Sequence, residues 1–204
     1  MEIYLIRHGE TDYNKAKRIQ GHCDIALNEY GRELAKVTSA GLADIPFDIV
    51  FTSPLVRASE TARIIAGKRD IPIIEDIRIQ EIGFGEYEGL CSGKQGYNIP
   101  DNKAFWNFFF DTENYQVPPG GESFEEVIQR TGEFLQEILA KEEYRDKTIL
   151  ISTHGCALKA LLANITHPAI KDFWGDGVHK NCGVTHVTNT GGKLKIVEEG
   201  KIYY

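Results

Sequence analysis

Along the chain, short apolar runs alternate with longer stretches in which apolar positions recur every three or four residues. The runs EIYLIR (2–7), FDIVFTSP (47–54), IPIIE (71–75) and KTILISTHG (147–155) are short, apolar and rich in β-branched residues, and each predicts a strand. GVTHVTNTGGKLKIVEEG (183–200) predicts a hairpin turning at Gly191–Gly192. Helical spacing marks 27–43, with Asn28 as N-cap and Leu34, Val37 and Leu42 on the apolar face. It also marks 53–67, where Ser53 reads as the N-cap, Pro54 falls in the first turn and Gly67 stops the helix. In SFEEVIQRTGEFLQEIL (123–139), Ser123 and Glu126 form a capping box ahead of an amphipathic helix, and CALKALLAN (156–164) is a further helix. Between Cys91 and Val117 the rhythm breaks, and FWNFFF (105–110) carries five aromatics in six positions with weak periodicity.

Strands alternating with helices imply an α/β fold: a mostly parallel central sheet with helices on both faces and an antiparallel edge from the hairpin. The 204 residues are enough for one domain, with a variable, lid-like segment at about 91–117. A net charge of −7 argues against nucleic acid as a partner, although a few local arginines can still attract a small anion. Four cysteines without a C-x-x-C pair fit free thiols in a reducing compartment. The first apolar run is too short for a signal peptide and no run approaches a membrane span, so a cytoplasmic protein without membrane contact is expected.

In such sheets ligands bind beyond the carboxyl ends of the strands. Three of those ends carry reactive residues: Arg7-His8-Gly9, Thr52-Ser53-Pro54 with Arg57 just after it, and His154-Gly155. Arginine forks match a phosphate, helix N-termini behind Arg57 and His154 would add backbone donors, and neutral histidine is a nucleophile. The set suits phosphoryl transfer, with Glu81, Glu86 or Glu88 as the acid for the leaving group. His22, His167, His179 and His186 read as surface or hydrogen-bonded histidines and form no metal set. A thiol at a helix start, as at Cys156, would have a lowered pKa and some sensitivity to oxidation.

LIRHGETDYN (5–14), RIQGHCDIALNEYGRELA (18–35), TSPLVRASETA (52–62), EIGFGEYEG (81–89), PGGES (119–123) and STHG (152–155) occur in that order over nearly the whole chain. Together they resemble the histidine phosphatase superfamily, the phosphoglycerate mutase-like proteins. The resemblance implies a three-layer α/β/α sandwich, with His8 as the nucleophile that becomes phosphohistidine and Arg7, Arg57 and His154 as the phosphate clamp. It implies Glu81 as proton donor, Asn14 as a further phosphate donor, and Thr11, Gln20, Gly21, Gly155 and Cys156 beside the substrate. Gly9 would let the backbone turn closely around the phosphate. No metal and no cofactor are implied, and the partner is a small phosphorylated metabolite.

Cys156 stands where the mutases usually carry asparagine and Lys159 where arginine is frequent, and both departures bear on substrate choice. Mutases also carry a longer, more basic segment before the GES helix, whereas here Lys94 and Lys103 are its basic residues. The expectation is a phosphomonoesterase, with a mutase and an inactive phospho-ligand binding module as rivals. The sequence does not decide between a monomer and a homodimer.

Overall fold

The computed structural model describes residues 1–100 and 102–204, without the side chains of residues 102–104, so the Lys103 side chain lies outside the described residues. Six strands form one sheet: β1 (Glu2–Arg7), β2 (Ile49–Thr52), β3 (Ile73–Glu75), β4 (Thr148–Thr153), β5 (Val184–Thr190) and β6 (Lys193–Lys201), in the order β3-β2-β4-β1-β5-β6. β1, β2, β3 and β4 run parallel, while β5 is antiparallel to β1 and joins β6 through the Gly191–Gly192 hairpin.

Strand alternation divides the core. Ile3, Leu5, Phe51 and Ile151 face α5 (Phe124–Ala140) and α6 (Gly155–Thr166), where they meet Phe134, Ile138, Leu158 and Leu161. Ile6, Val50 and Leu150 point the other way, onto Leu34 and Leu42 of the α2 segment (α2, Glu29–Gly41) and Ala62 and Ile65 of α3 (Val56–Ala66). The result is the expected three-layer α/β/α sandwich. Two further helices sit on the cleft side, α1 (Asp12–Lys15) and α4 (Asn102–Phe110).

Some local expectations change. α2 buries Gly31, Leu34, Ala35 and Thr38, a stripe at helical spacing that leaves Val37 on the solvent side. Asn28 does cap α2, accepting the Gly31 N–H at 2.7 Å. α3 begins at Val56 with Leu55 as N-cap and no side-chain cap, so Pro54 precedes the helix and Ser53 is not its cap. The Ser53 hydroxyl reaches His154 across the strand ends instead. FWNFFF is helical in α4: Phe105 and Phe108 are buried at i, i+3, while Trp106 stacks on Phe110 on the outer side, and aromatics on both sides hide the period.

Candidate active site

Register brings the reactive residues together. Arg7 is level with Thr153 in the β1–β4 pair, and Thr52 with Ser152 in the β2–β4 pair. His8 and His154 follow level with each other at the carboxyl edge, and Ser53, which follows Thr52, is level with Thr153. The His8 and His154 rings lie 5.2 Å apart at 58°, and the Ser53 Oγ is 2.7 Å from His154 Nε2. Asn181 fixes the His8 backbone by donating to its carbonyl at 2.9 Å. Gly9 is small for a different reason than the sequence suggested: a Cβ there would meet the Gly31 carbonyl oxygen at 2.6 Å.

His8 Nδ1 is 2.7 Å from the Gly9 carbonyl, which can only accept. Nδ1 therefore carries the hydrogen and Nε2 the lone pair. Burial, then Arg57 and Arg7, push the His8 pKa well below the usual imidazole value, so the ring is neutral. Burial and Arg57 do the same to His154, whose buried Nδ1 has no partner among the described residues.

Arg57 is buried and Arg7 half-buried, and both are held by backbone. Arg57 donates to the Cys23 and Gly21 carbonyls, both at 2.7 Å, and Arg7 donates to the His179 carbonyl. In both, Nε is a buried donor with no partner among the described residues. Burial lowers the Arg57 pKa to about 10, so its charge persists at neutral pH.

Of the three candidate acids, Glu81 alone lines the cleft. Its Oε1 accepts the N–H groups of Ile82, Cys156 and Ala157 at 3.0, 3.0 and 3.1 Å. The N-terminus of α6 thus serves Glu81 rather than offering these donors to a phosphate. At α3 the Val56 N–H goes to Asp24 at 2.7 Å, a second departure from the expected free helix ends. Glu81 Oε2 and Arg7 Nε lie 3.6 and 3.7 Å from where a Cβ on Gly155 would stand, so Gly155 keeps the space between them open. Glu88 is occupied with backbone, accepting from His22 and Phe84 at 2.9 and 3.0 Å.

The sequence reading missed the brace behind Glu81. Arg130 donates to the Glu81 carbonyl at 3.0 Å and forms a two-pronged ion pair with Glu122. His22 donates to the same carbonyl at 2.8 Å, and Glu122 accepts the Gly83 N–H at 2.8 Å. Burial pushes the Glu122 pKa up, but hydrogen bonds from His22 and Arg130 outweigh it and hold the group at about 2. PGGES contained Glu122, but only contact across the fold reveals its partners.

Gln20, Gly21, Gly155 and Cys156 line the cleft, which encloses about 660 Å³ including its open mouth. Thr11 and Asn14 do not line it. Thr11 is fully buried and donates to Gln20 Oε1 at 2.8 Å, and it shares a capping box with Asn14 at the start of α1. Lys159 is also away from the cleft, buried against Glu199 at 2.9 Å, so it does not touch a ligand there. Burial and the Glu81 carboxylate push the Cys156 thiol well above its ordinary pKa, which overturns the expectation of a lowered one.

The model of the histidine phosphatase superfamily (branch 1) matches residues 3–201. The chain belongs to this family. Among its relatives, the uncharacterised phosphatase PhoE of Bacillus subtilis is 35% identical over 164 residues, 80% of this chain and 77% of that one. A 2,3-bisphosphoglycerate-dependent phosphoglycerate mutase of Gloeobacter violaceus is 31% identical over 81% of this chain and 75% of its own. The solved structure of Bacillus stearothermophilus YhfR superposes with a TM-score of 0.90 at 35% identity, over 98% of this chain and 97% of that one. The protein is thus an enzyme of the histidine phosphatase superfamily, in a group that holds both phosphatases and phosphoglycerate mutases. Among the described residues, no helix is long and apolar enough to cross a membrane.

Proposed function

We propose that this chain is a metal-independent phosphomonoesterase that hydrolyses a small phosphorylated metabolite through a phosphohistidine on His8. The observation that carries the reading is the His8 ring: neutral, with Nδ1 on the Gly9 carbonyl and Nε2 left as lone pair, beside the buried Arg57 and the half-buried Arg7, whose buried Nε donors have no partner among the described residues. Arg7, Arg57 and His154 Nδ1 hold the phosphoryl oxygens and neutralise their charge. His8 Nε2 attacks phosphorus, the bond to the ester oxygen breaks, and Glu81 Oε2 gives its proton to the leaving alkoxide. Glu81 then takes a proton from water, the hydroxide attacks phosphorus, and the P–N bond breaks to restore His8. Gln20, Gly21, Gly155 and Cys156 border the substrate; Thr11 and Asn14 act through the loop they hold.

A mutase would use the same residues, and the Gloeobacter violaceus relative supports that reading. Against it stands the cleft lining, where Arg18 is the only cation besides Arg7 and Arg57 among the described residues. The test is phosphate release from p-nitrophenyl phosphate in EDTA, with trapping of the intermediate. An acid-labile adduct on His8, lost with activity in His8→Ala, is the expected result. Undiminished turnover in His8→Ala would overturn the mechanism, and rapid isomerisation of 3-phosphoglycerate with bisphosphoglycerate present and little phosphate release would favour the mutase.

A further inference from the structure

Beyond the phosphoryl end, the cleft wall is apolar. Ile19, Ile82, Phe84 and Trp174 line it together with Phe105, Phe108 and Phe109 of α4. This wall is built, not loosely draped. Trp174 Nε1 donates to the Phe108 carbonyl at 2.5 Å, so its one polar atom is committed and the ring offers only carbon to the cleft. Phe109 stacks on Trp174 with ring centres 5.8 Å apart, and Phe108 packs edge-on against Phe84 at 5.0 Å and face-on against Phe124 at 5.1 Å. The Thr112 hydroxyl donates to the Ile170 carbonyl and ties the end of α4 to the segment that carries Trp174.

Apart from Arg7, His8, Arg57 and Glu81, the polar side chains that line the cleft are Arg18, Gln20 and Ser92, with the thiol of Cys156. Arg18, at the rim, is exposed, donates to the Gly89 carbonyl at 2.7 Å and lies over the Tyr13 ring. A carboxylate on the leaving group would lose water against aromatic carbon, and the lining cation beyond Arg7 and Arg57 among the described residues, Arg18, is exposed and already bonded to the Gly89 carbonyl.

We infer that the leaving alcohol is uncharged and carries an apolar ring or alkyl chain, which packs on the Phe108–Phe109–Trp174 wall while the phosphate sits on Arg7, Arg57 and His8. This deepens the phosphatase reading and rests on it for the identity of the phosphate site. An apolar group leaving water for such a wall tightens binding by roughly three- to fourfold per methylene.

Binding of n-alkylphosphonates from methyl to hexyl to the full chain, measured by calorimetry, tests this without requiring turnover. The dissociation constant should fall by about that factor per carbon until the wall is covered, and propylphosphonate should bind at least about tenfold tighter than 3-phosphonopropionate. Phe109 is only partly buried, and Phe109→Ala should reduce the gain per methylene. A flat alkyl series, an equal or tighter fit for the carboxylate, or a wild-type slope in Phe109→Ala would each overturn the inference. Failure to hydrolyse p-nitrophenyl phosphate would instead refute the phosphatase reading, while the phosphonate series still decides the chemistry of the wall.

Discussion

Glu81 reaches across the cleft to the first turn of α6 and accepts the backbone N–H groups of Cys156 and Ala157 at 3.0 and 3.1 Å. These contacts hold Oε1, while Oε2 takes the longer arm of the Cys156 N–H at 3.3 Å and is the oxygen that the proposed mechanism uses for proton transfer. In Glu81→Gln the amide oxygen can still accept both N–H groups, and the fold should be unchanged. kcat for an alkyl phosphate should fall by roughly 10²–10⁴, the usual worth of a placed acid. The loss should be much smaller for p-nitrophenyl phosphate, whose leaving group needs no proton. Equal losses on both substrates would count against Glu81 as the acid.

The Ser53 hydroxyl lies 2.7 Å from His154 Nε2 and also accepts the Leu55 N–H at 3.3 Å. Donation from Ser53 to Nε2 leaves the proton on His154 Nδ1, the nitrogen without a partner among the described residues. Ser53→Ala frees the tautomer. We expect kcat/KM to drop about tenfold, with His154→Ala and the double variant no worse than His154→Ala alone, since the two residues act as a unit. Additive losses in that cycle would show that Ser53 acts elsewhere.

Arg130 holds the Glu81 carbonyl and pairs with a half-buried Glu122. Arg130→Met removes both and leaves Glu122 with fewer partners, at a cost of about 2 kcal/mol in stability. On the proposed mechanism the acid is then poorly aimed, and kcat should fall more than KM rises. Urea denaturation and steady-state kinetics check the two halves, and a change confined to KM would deny the positioning role.

Three buried histidines give stability an acid limb. Burial is the first cause in each, followed by Arg57 for His8 and His154 and by Lys159 for His179, whose pKa falls to about 4. Once unfolded, these imidazoles take up protons near pH 6.5, while the folded chain does not, so the unfolded state binds more protons below that value. Stability is therefore full above about pH 6.5 and declines as pH falls, by about 1.4 kcal/mol per pH unit for each histidine kept neutral. Urea midpoints at pH 7.5 and 5.0 should differ accordingly, and equal midpoints would mean that the rings are already charged in the native state.

The strand ends, the parallel sheet and the meeting of His8 with His154 at the carboxyl edge were legible because each sits in a short local pattern: apolar run, then Arg7-His8 or His154-Gly155. The α3 cap was misread because Ser53-Pro54 resembles a helix start, whereas its hydroxyl is drawn to His154, 101 residues away. Helix N-termini were expected to face the ligand, but Glu81 and Asp24, both remote in sequence, take their N–H groups. Trp174 and the Glu122–Arg130 brace gave no local signal, since their meaning lies in contacts between segments far apart along the chain. The period of α4 was masked by aromatics on both its sides.

The Trp174–Phe108 hydrogen bond joins two segments 66 residues apart, neither of which belongs to the sheet. The strand-borne end of the site is fixed by pairing register, and a one-residue slip there would misplace every reactive group. The aromatic wall has no such constraint, since side-chain packing and a few hydrogen bonds hold it. Mutation can therefore reshape what the enzyme accepts while its phosphoryl chemistry stays unchanged, provided that α4 and the Trp174 segment change together.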